Sequence, residues 1–268
     1  MRTKSVVPRY ARPPARRVAG LPAAGWTVVI VAVLLLGIEF YARSGAVSAV
    51  DLVPVTDMVR QAGELLGDRE FLVGELVRTL LTIVASFALA AVIGVATAWA
   101  MVRLRWCRAA LQPYFNVFYS IPTFALYPIL VVFFGTGVVP VILLATAFSV
   151  VVIISHAVTG FDSVPPIARK LSASLRLTGG QHFRLVLMPS ALPDILAGLK
   201  LGLAYTVIAV LASEFILAPH GLGRTIATAY NSFDTPVMYA GVLFVVAFAL
   251  LANLVLGGVL SRFDWRRR

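Results

Sequence analysis

The sequence predicts an all-α, polytopic membrane protein with six transmembrane helices, and three observations predict it. Of the 268 residues, 60% are hydrophobic and only 13% are charged, a composition that a water-soluble domain of this length has too little interior to bury. The apolar residues gather into six long runs, and the basic residues recur in short clusters between alternate runs. A formal net charge of +11 would elsewhere suggest nucleic acid, but clusters broken up by apolar runs form no continuous basic face, so nucleic acid is not an expected partner. The single cysteine, Cys107, excludes an internal disulfide framework and a cysteine-based metal cluster.

Residues 1–24 carry Arg2, Lys4, Arg9, Arg12, Arg16 and Arg17 among Pro8, Pro13, Pro14 and Pro22, which predicts a solvated, disordered basic tail. Residues 25–70 hold the first span, Trp26 to Ala42, and an acidic loop with Asp51, Asp57, Glu64, Asp68 and Glu70. A bilayer core needs about 20 helical residues, so this run can span, and with further spans following it reads as an uncleaved helix rather than a secretory signal. Residues 71–261 form the core, with spans at Leu76 to Val102, about Gln112 to Gly135, Val138 to Gly160, Leu192 to Ala218 and Val237 to Leu260. Pro122 and Pro128 fall inside the third span, where each removes a backbone hydrogen bond and kinks or breaks the helix. Small residues at helical spacing, Ala90, Gly94 and Ala98 in the second span and Gly198 and Gly202 in the fifth, let helices approach closely. Packing within one bundle is the simpler use of them, a dimer seam the other. Residues 262–268 are a basic C-terminus.

Lys and Arg set the orientation. The tail, Arg103 with Arg105 and Arg108, the segment with Arg169, Lys170, Arg176 and Arg184, and the chain end with Arg262 and Arg266 to Arg268 all fall on one side. The positive-inside rule makes that side, and both termini, cytoplasmic. The expected location is the bacterial inner membrane.

The long polar connection on that side, residues 161–190, is the most informative segment. Ser163 before Pro165 and Pro166 suits a helix start, and Ile167 to Leu177 reads as a short basic helix with Ile167, Leu171, Ser174 and Leu175 on one face. Gly179 and Gly180 suggest its stop, and Gln181 to Met188 a second short helix before Pro189. Helix, corner and helix suggest a docking element; an amphipathic hairpin resting on lipid is the alternative.

The string from Ala173 to Pro189, ASLRLTGGQHFRLVLMP, followed by SALPDILAGLK to Lys200, resembles the EAA loop of binding-protein-dependent ABC permeases of the nitrate, sulfonate and taurine type. Tyr119-Ser-Ile-Pro122, Phe134-Gly-Thr-Gly137, Glu214 with Gly221-Leu-Gly223, and Phe233-Asp-Thr235 are similar to that family's motifs in the same order. The resemblance implies a type I importer permease that carries no ATP or magnesium itself. It implies as partners ABC ATPase subunits, an extracytoplasmic solute-binding protein and a second permease copy or paralogue in the bilayer. It makes Arg169, Lys170, Leu175, Arg176, Leu177, Gly179, Gly180, Phe183 and Pro189 the ATPase-coupling residues, with Leu175, Leu177 and Phe183 as apolar anchors. Aligned back from Pro189, the family's loop glycine falls on Arg176 and its Glu-Ala-Ala on Lys170-Leu171-Ser172, so the loop is degenerate and turns at either Arg176 or Gly179. The solute implied is small and anionic or heterocyclic: sulfonate, taurine, nitrate or a pyrimidine.

No phosphate-binding Gly-x-x-x-x-Gly-Lys-Ser/Thr stretch occurs, so energy has to come from a partner or an ion gradient. The polar residues able to line a path are Tyr119, Ser120, Thr123, His156, Tyr205, Ser213 and Glu214. Glu214 is the costliest charge in the fifth span, which leaves a proton-coupled carrier as the alternative function. His156 has no His or Asp at ligand spacing and is expected to pack rather than bind metal. No nucleophile has a base and an orienting group beside it, which ranks a membrane enzyme last.

Overall fold

The structure, a computed structural model, describes residues 23–48, 51–118 and 122–261, all helices and their connections. In chain order they are α1 Ala23–Arg43, α2 Val55–Gly67, α3 Phe71–Arg103, α4 Arg105–Phe118, α5 Phe124–Phe134, α6 Val138–Asp162, α7 Pro166–Ser174, α8 Gly179–Ile216, α9 Leu222–Asn231 and α10 Thr235–Ser261. Five of them, α1, α3, α6, α8 and α10, are long and apolar enough to cross a membrane. The fold is that of an all-α polytopic membrane protein.

The sixth crossing differs from one continuous helix over 112–135. α4 stops at Phe118, the chain passes Pro122, makes one 3-10 turn at Thr123–Leu126, and resumes as α-helix at Tyr127–Phe134. The prolines explain the break, because Pro128 is tolerated only in the first turn of the new helix, where its missing N–H has no partner to lose. The acidic loop likewise contains an unforeseen amphipathic helix, α2. It buries Met58 and packs on α10, and Tyr239 of α10 donates to the carbonyl of Asp51 at 2.8 Å.

α6 lies between α3 and α8 and forms the centre of the bundle. Ile153 is fully buried there. A Cβ on Gly94 of α3 would sit 2.7 Å from Ile153 Cγ2, and one on Gly202 of α8 would sit 2.6 Å from its Cγ1. One turn further along, a Cβ on Gly198 would sit 2.6 Å from His156 Cβ. The small-residue rows are therefore packing surfaces within one chain. One turn beyond Ile153 in the other direction, Ser149 and Thr206 share a 2.7 Å hydrogen bond across α6 and α8, and Thr146 donates to the carbonyl of Ser86 on α3. Such contacts matter because lipid offers helices no hydrophobic gain for associating.

α1 is attached differently. Nothing in its apolar window is buried, and a hydrogen-bonded knot at one end ties it to α2. Glu39 accepts from the backbone N–H of Thr56 at 3.1 Å and from its hydroxyl at 2.8 Å, while Arg43 donates to Glu39 and to Thr56. The Glu39 carboxylate thus supplies the cap that Pro54 cannot give α2.

The glycine contacts make a prediction. Gly202→Val overpacks the α6–α8 seam against Ile153, and a cost of about 1–3 kcal/mol is expected, seen as a lower thermal midpoint in detergent. Ile153→Ala added to Gly202→Val should recover part of it; an unchanged midpoint for the single variant would rule out this seam.

Candidate functional site

Two ends of the bundle carry the residues of interest. At one end, α6 runs out at Asp162, and Arg108 of α4 grips that carboxylate with two hydrogen bonds of 3.0 and 2.7 Å. Pro165 is extended and Pro166 opens α7. The corner after α7 is at Arg176, whose φ of 49° is left-handed. Its N–H donates to the carbonyl of Ala173, and that of Leu177 to Ser172, the two reverse bonds with which a helix closes on a left-handed residue. Gly179 and Gly180, expected to stop α7, are instead the first residues of α8. Thr178 caps them: its hydroxyl accepts from the Gln181 N–H, and its own N–H donates to the Gln181 side chain at 2.9 Å. Thr-Gly-Gly-Gln is a capping-box sequence, and that signal outranks the helix-breaking tendency of two glycines. Nor does Pro189 end a helix. The turn before it, Phe183–Leu187, is widened to a π-helix, which makes room for a ring that would otherwise meet the Leu185 carbonyl.

Ile167, Leu171 and Leu175 form a row of apolar side chains on α7 that are 77%, 59% and 63% exposed. Lys170, Arg176 and Arg184 are also exposed, while Leu177 is half-buried; the Arg169 side chain lies outside the described residues. Phe183, expected as an anchor facing a partner, turns inward. Its ring is 5.8 Å from Trp99 in an edge contact and 6.3 Å from the buried Phe161, so it roots the loop in the bundle.

At the opposite end, two carboxylates clamp the start of α9. Gly221, with φ 117°, precedes the helix and has no side chain to cap it. Its N–H donates to Glu75, the Leu222 N–H donates to Thr79 Oγ1 at 2.8 Å, and the Gly223 N–H donates to Glu214 Oε2 at 3.1 Å. The Thr79 hydroxyl in turn donates to the Glu214 carboxylate at 2.9 Å. Each of three otherwise orphaned helix-start donors thus finds an acceptor, and α3, α8 and α9 are joined at one point. A Cβ on Gly221 would fall 2.3 Å from Glu214 Cδ, and one on Gly223 2.5 Å from the Leu211 carbonyl, so Gly-Leu-Gly is what this contact admits. His220 Nδ1 lies 3.5 Å from Glu75 at the edge. Beside Glu214 is a space of about 10 Å³, enough for one water molecule. Glu75 and Thr79 escaped notice in the sequence because the apolar run begins after Glu75; their spacing, i and i+4 on α3, was the available signal.

Of the remaining path candidates, the described ones, Ser213, Tyr205 and His156, each bond or pack against a nearby group of the helix bundle. Ser213 is buried and donates to the Ala209 carbonyl of its own helix. Tyr205 packs on Phe148 with ring centroids 5.1 Å apart. His156 bonds the Val152 carbonyl through Nδ1 and lies against Gly198, a packing histidine. Tyr119 and Ser120 lie outside the described residues, as does the side chain of Thr123. Among the described residues, no three His, Cys, Asp or Glu come together as metal ligands.

Residues 90–268 match the family model of the binding-protein-dependent transport system inner membrane component. Similar curated proteins include the riboflavin transport system permease protein RibX of Chloroflexus aurantiacus, 31% identical over 162 residues, 59% of each chain. Another is the taurine transport system permease protein TauC of Escherichia coli, 31% identical over 155 residues, 58% of this chain and 56% of that one. The matched stretches thus span less than two thirds of these relatives' lengths. An inward-facing structure of the MetNI methionine ABC transporter superposes with a TM-score of 0.57 at 19% identity, covering 77% of this chain and 96% of that one, a likeness of fold.

The clamp is testable through Thr79, which both gives and accepts. Thr79→Val leaves the Leu222 N–H and one Glu214 interaction unsatisfied in a buried site, at an expected cost of about 1–3 kcal/mol, while Thr79→Ser keeps the hydroxyl and the stability. Thermal unfolding of both variants checks this; equal loss in both would make the hydroxyl irrelevant.

Proposed function

The chain belongs to the family of binding-protein-dependent transport system inner membrane components, and from that premise we propose how it is powered and what it carries. It is the translocating, non-enzymatic permease subunit of an ABC importer. ATP and its magnesium bind a separate ATPase subunit, which docks on the loop of residues 161–190. The observation that carries this reading is the exposed row Ile167, Leu171 and Leu175 on a helix that leads into the Arg176 corner and, beyond it, into Phe183 packed in the bundle. Large exposed apolar side chains rimmed by polar residues mark a contact with protein or membrane; we assign this one to the ATPase, and the row supplies the anchors where Phe183 does not. Lys170, Arg176 and Arg184 rim it.

Docking there would push and pull on α6 and α8 together, because the loop joins those two helices directly. The loop and both termini face the cytoplasm, as the basic clusters require, and an extracytoplasmic binding protein delivers solute at the end where Glu75 and Glu214 hold α9. A second copy or a related permease completes the path, since the described candidates Tyr205, Ser213 and His156 are taken up by contacts within one chain. The solute is small and anionic or heterocyclic, a class supported by relatives named for taurine, nitrate and riboflavin. The Glu214 carboxylate is taken up by Thr79 and Gly223, which favours a holding role over proton coupling.

Leu171→Asp and Leu175→Asp should each weaken ATPase retention on the purified permease by over tenfold, the loss of a hot spot worth about 2 kcal/mol or more, while membrane insertion is unchanged. Retention intact in both would sink the docking assignment. In a Cys107→Ser background, cysteines placed at Asp57 and Asp234 should react with an impermeant reagent in intact cells and one at Ser174 should not; the reverse pattern overturns the orientation. Transport that continues without the ATPase and stops with an uncoupler would move the function to a proton-coupled carrier.

A further inference from the structure

Between α8 and α10 runs a groove of about 280 Å³ whose walls are apolar for most of its length, with Leu203, Val207 and Leu211 on one side and Val245 and Ala249 on the other. From Lys200 to Leu211 along α8 it is about 16 Å long at the rise of an α-helix. Its two ends differ. The end near the loop carries Lys200 and Asn253, whereas the other carries only apolar side chains. The Lys200 amine lies beside α10: the Cβ position of Gly257 is 4.0 Å from Nζ, an ordinary contact distance. Among the described residues, no carboxylate pairs with it.

A cation inside a membrane span demands an anion, water or the interface. A slot with a long apolar body, open to the bilayer, and a cation with an amide at the end nearest the membrane surface has the polarity of a phospholipid with an acidic headgroup. We propose that this groove is a site for one acidic phospholipid, with an acyl chain lying between α8 and α10 and the headgroup phosphate held by Lys200 and Asn253. A helix from a second copy would fit only if it brought an acidic residue to the Lys200 amine, since covering a cation with no counter-charge is costly. Lipid bound there bridges α8, which the loop drives, to α10, which lies outside the central α3–α6–α8 packing. The site therefore stands whichever solute the chain carries.

Native mass spectrometry of the full-length chain, incubated with phosphatidylglycerol or phosphatidylethanolamine of the same acyl composition, reads the site directly. The unaltered protein should retain phosphatidylglycerol about fivefold over phosphatidylethanolamine, the factor for about one lysine–anion contact at a membrane surface. Lys200→Gln should abolish that preference and Lys200→Arg should keep it, a pair that stays decisive even if a bulkier variant misfolds. Ala249→Trp, which fills the groove, should remove the retained lipid of both kinds. Equal retention of the two lipids by the unaltered protein, or an unchanged preference in Lys200→Gln, overturns the proposal. So does an Ala249→Trp variant that loses its dimer while keeping its lipid, which would give the groove to a second copy.

Discussion

The structure depends on the distance between α6 and its two neighbours. Three helices in lipid gain nothing by hiding apolar surface from one another, so what holds them is dispersion at short range and a few shared hydrogen bonds. Ile153 between Gly94 and Gly202 sets that range. With α3 and α8 drawn this close to α6, Ser149 reaches Thr206 and Thr146 reaches the Ser86 carbonyl. At the far ends the same closeness brings Thr79 of α3 to Glu214 of α8. A wider seam would separate the pair that holds α9, and that helix would lose its seat.

Helix ends are the second organising constraint. The chain solves the problem of orphaned donors and acceptors in more than one way. α9 starts on a glycine and is capped by two glutamates and a threonine from other helices. α2 starts after a proline and is capped by Glu39 of α1. α8 starts on Thr178 and caps itself. α7 and α9 end at a cost, since Arg176 and Phe233 adopt left-handed φ values of 49° and 58° that glycine would take freely; for an L-residue this costs about 1–2 kcal/mol. Strain of this sort persists where the surroundings over-determine it, and here the loop is fixed between the end of α6 and the capped start of α8.

Much of this was legible in the sequence. Composition and apolar runs are sufficient for a polytopic all-α protein, since the bilayer leaves few other solutions, and Pro122 and Pro128 marked the crossing that breaks. Gly94, Gly198 and Gly202 were recognisable as close-packing positions from their spacing. Three things were not legible. The corner at Arg176 was open because two glycines nearby suggested a stop, and only the capping box formed by Thr178 and Gln181 shows why they begin a helix. The inward turn of Phe183 depends on Trp99, distant in the chain, and no local pattern encodes that contact. The partnership of Glu75, Thr79 and Glu214 is a meeting of residues far apart in sequence, and pattern reading sees each only as a polar residue near the end of an apolar run.

The knot at Glu39 gives α1 a mechanical character unlike that of the other spans. A helix of 21 residues is about 32 Å long, close to the hydrocarbon thickness of a bilayer, and it is fastened to α2 at one end with its length unburied. Mismatch between a span and its membrane is relieved by tilting, at a modest cost per ångström. A span tied to α2 at Glu39, with none of its apolar window buried, can meet such a mismatch by a change of angle in which no side chain of that window has to leave the α3–α6–α8 seam.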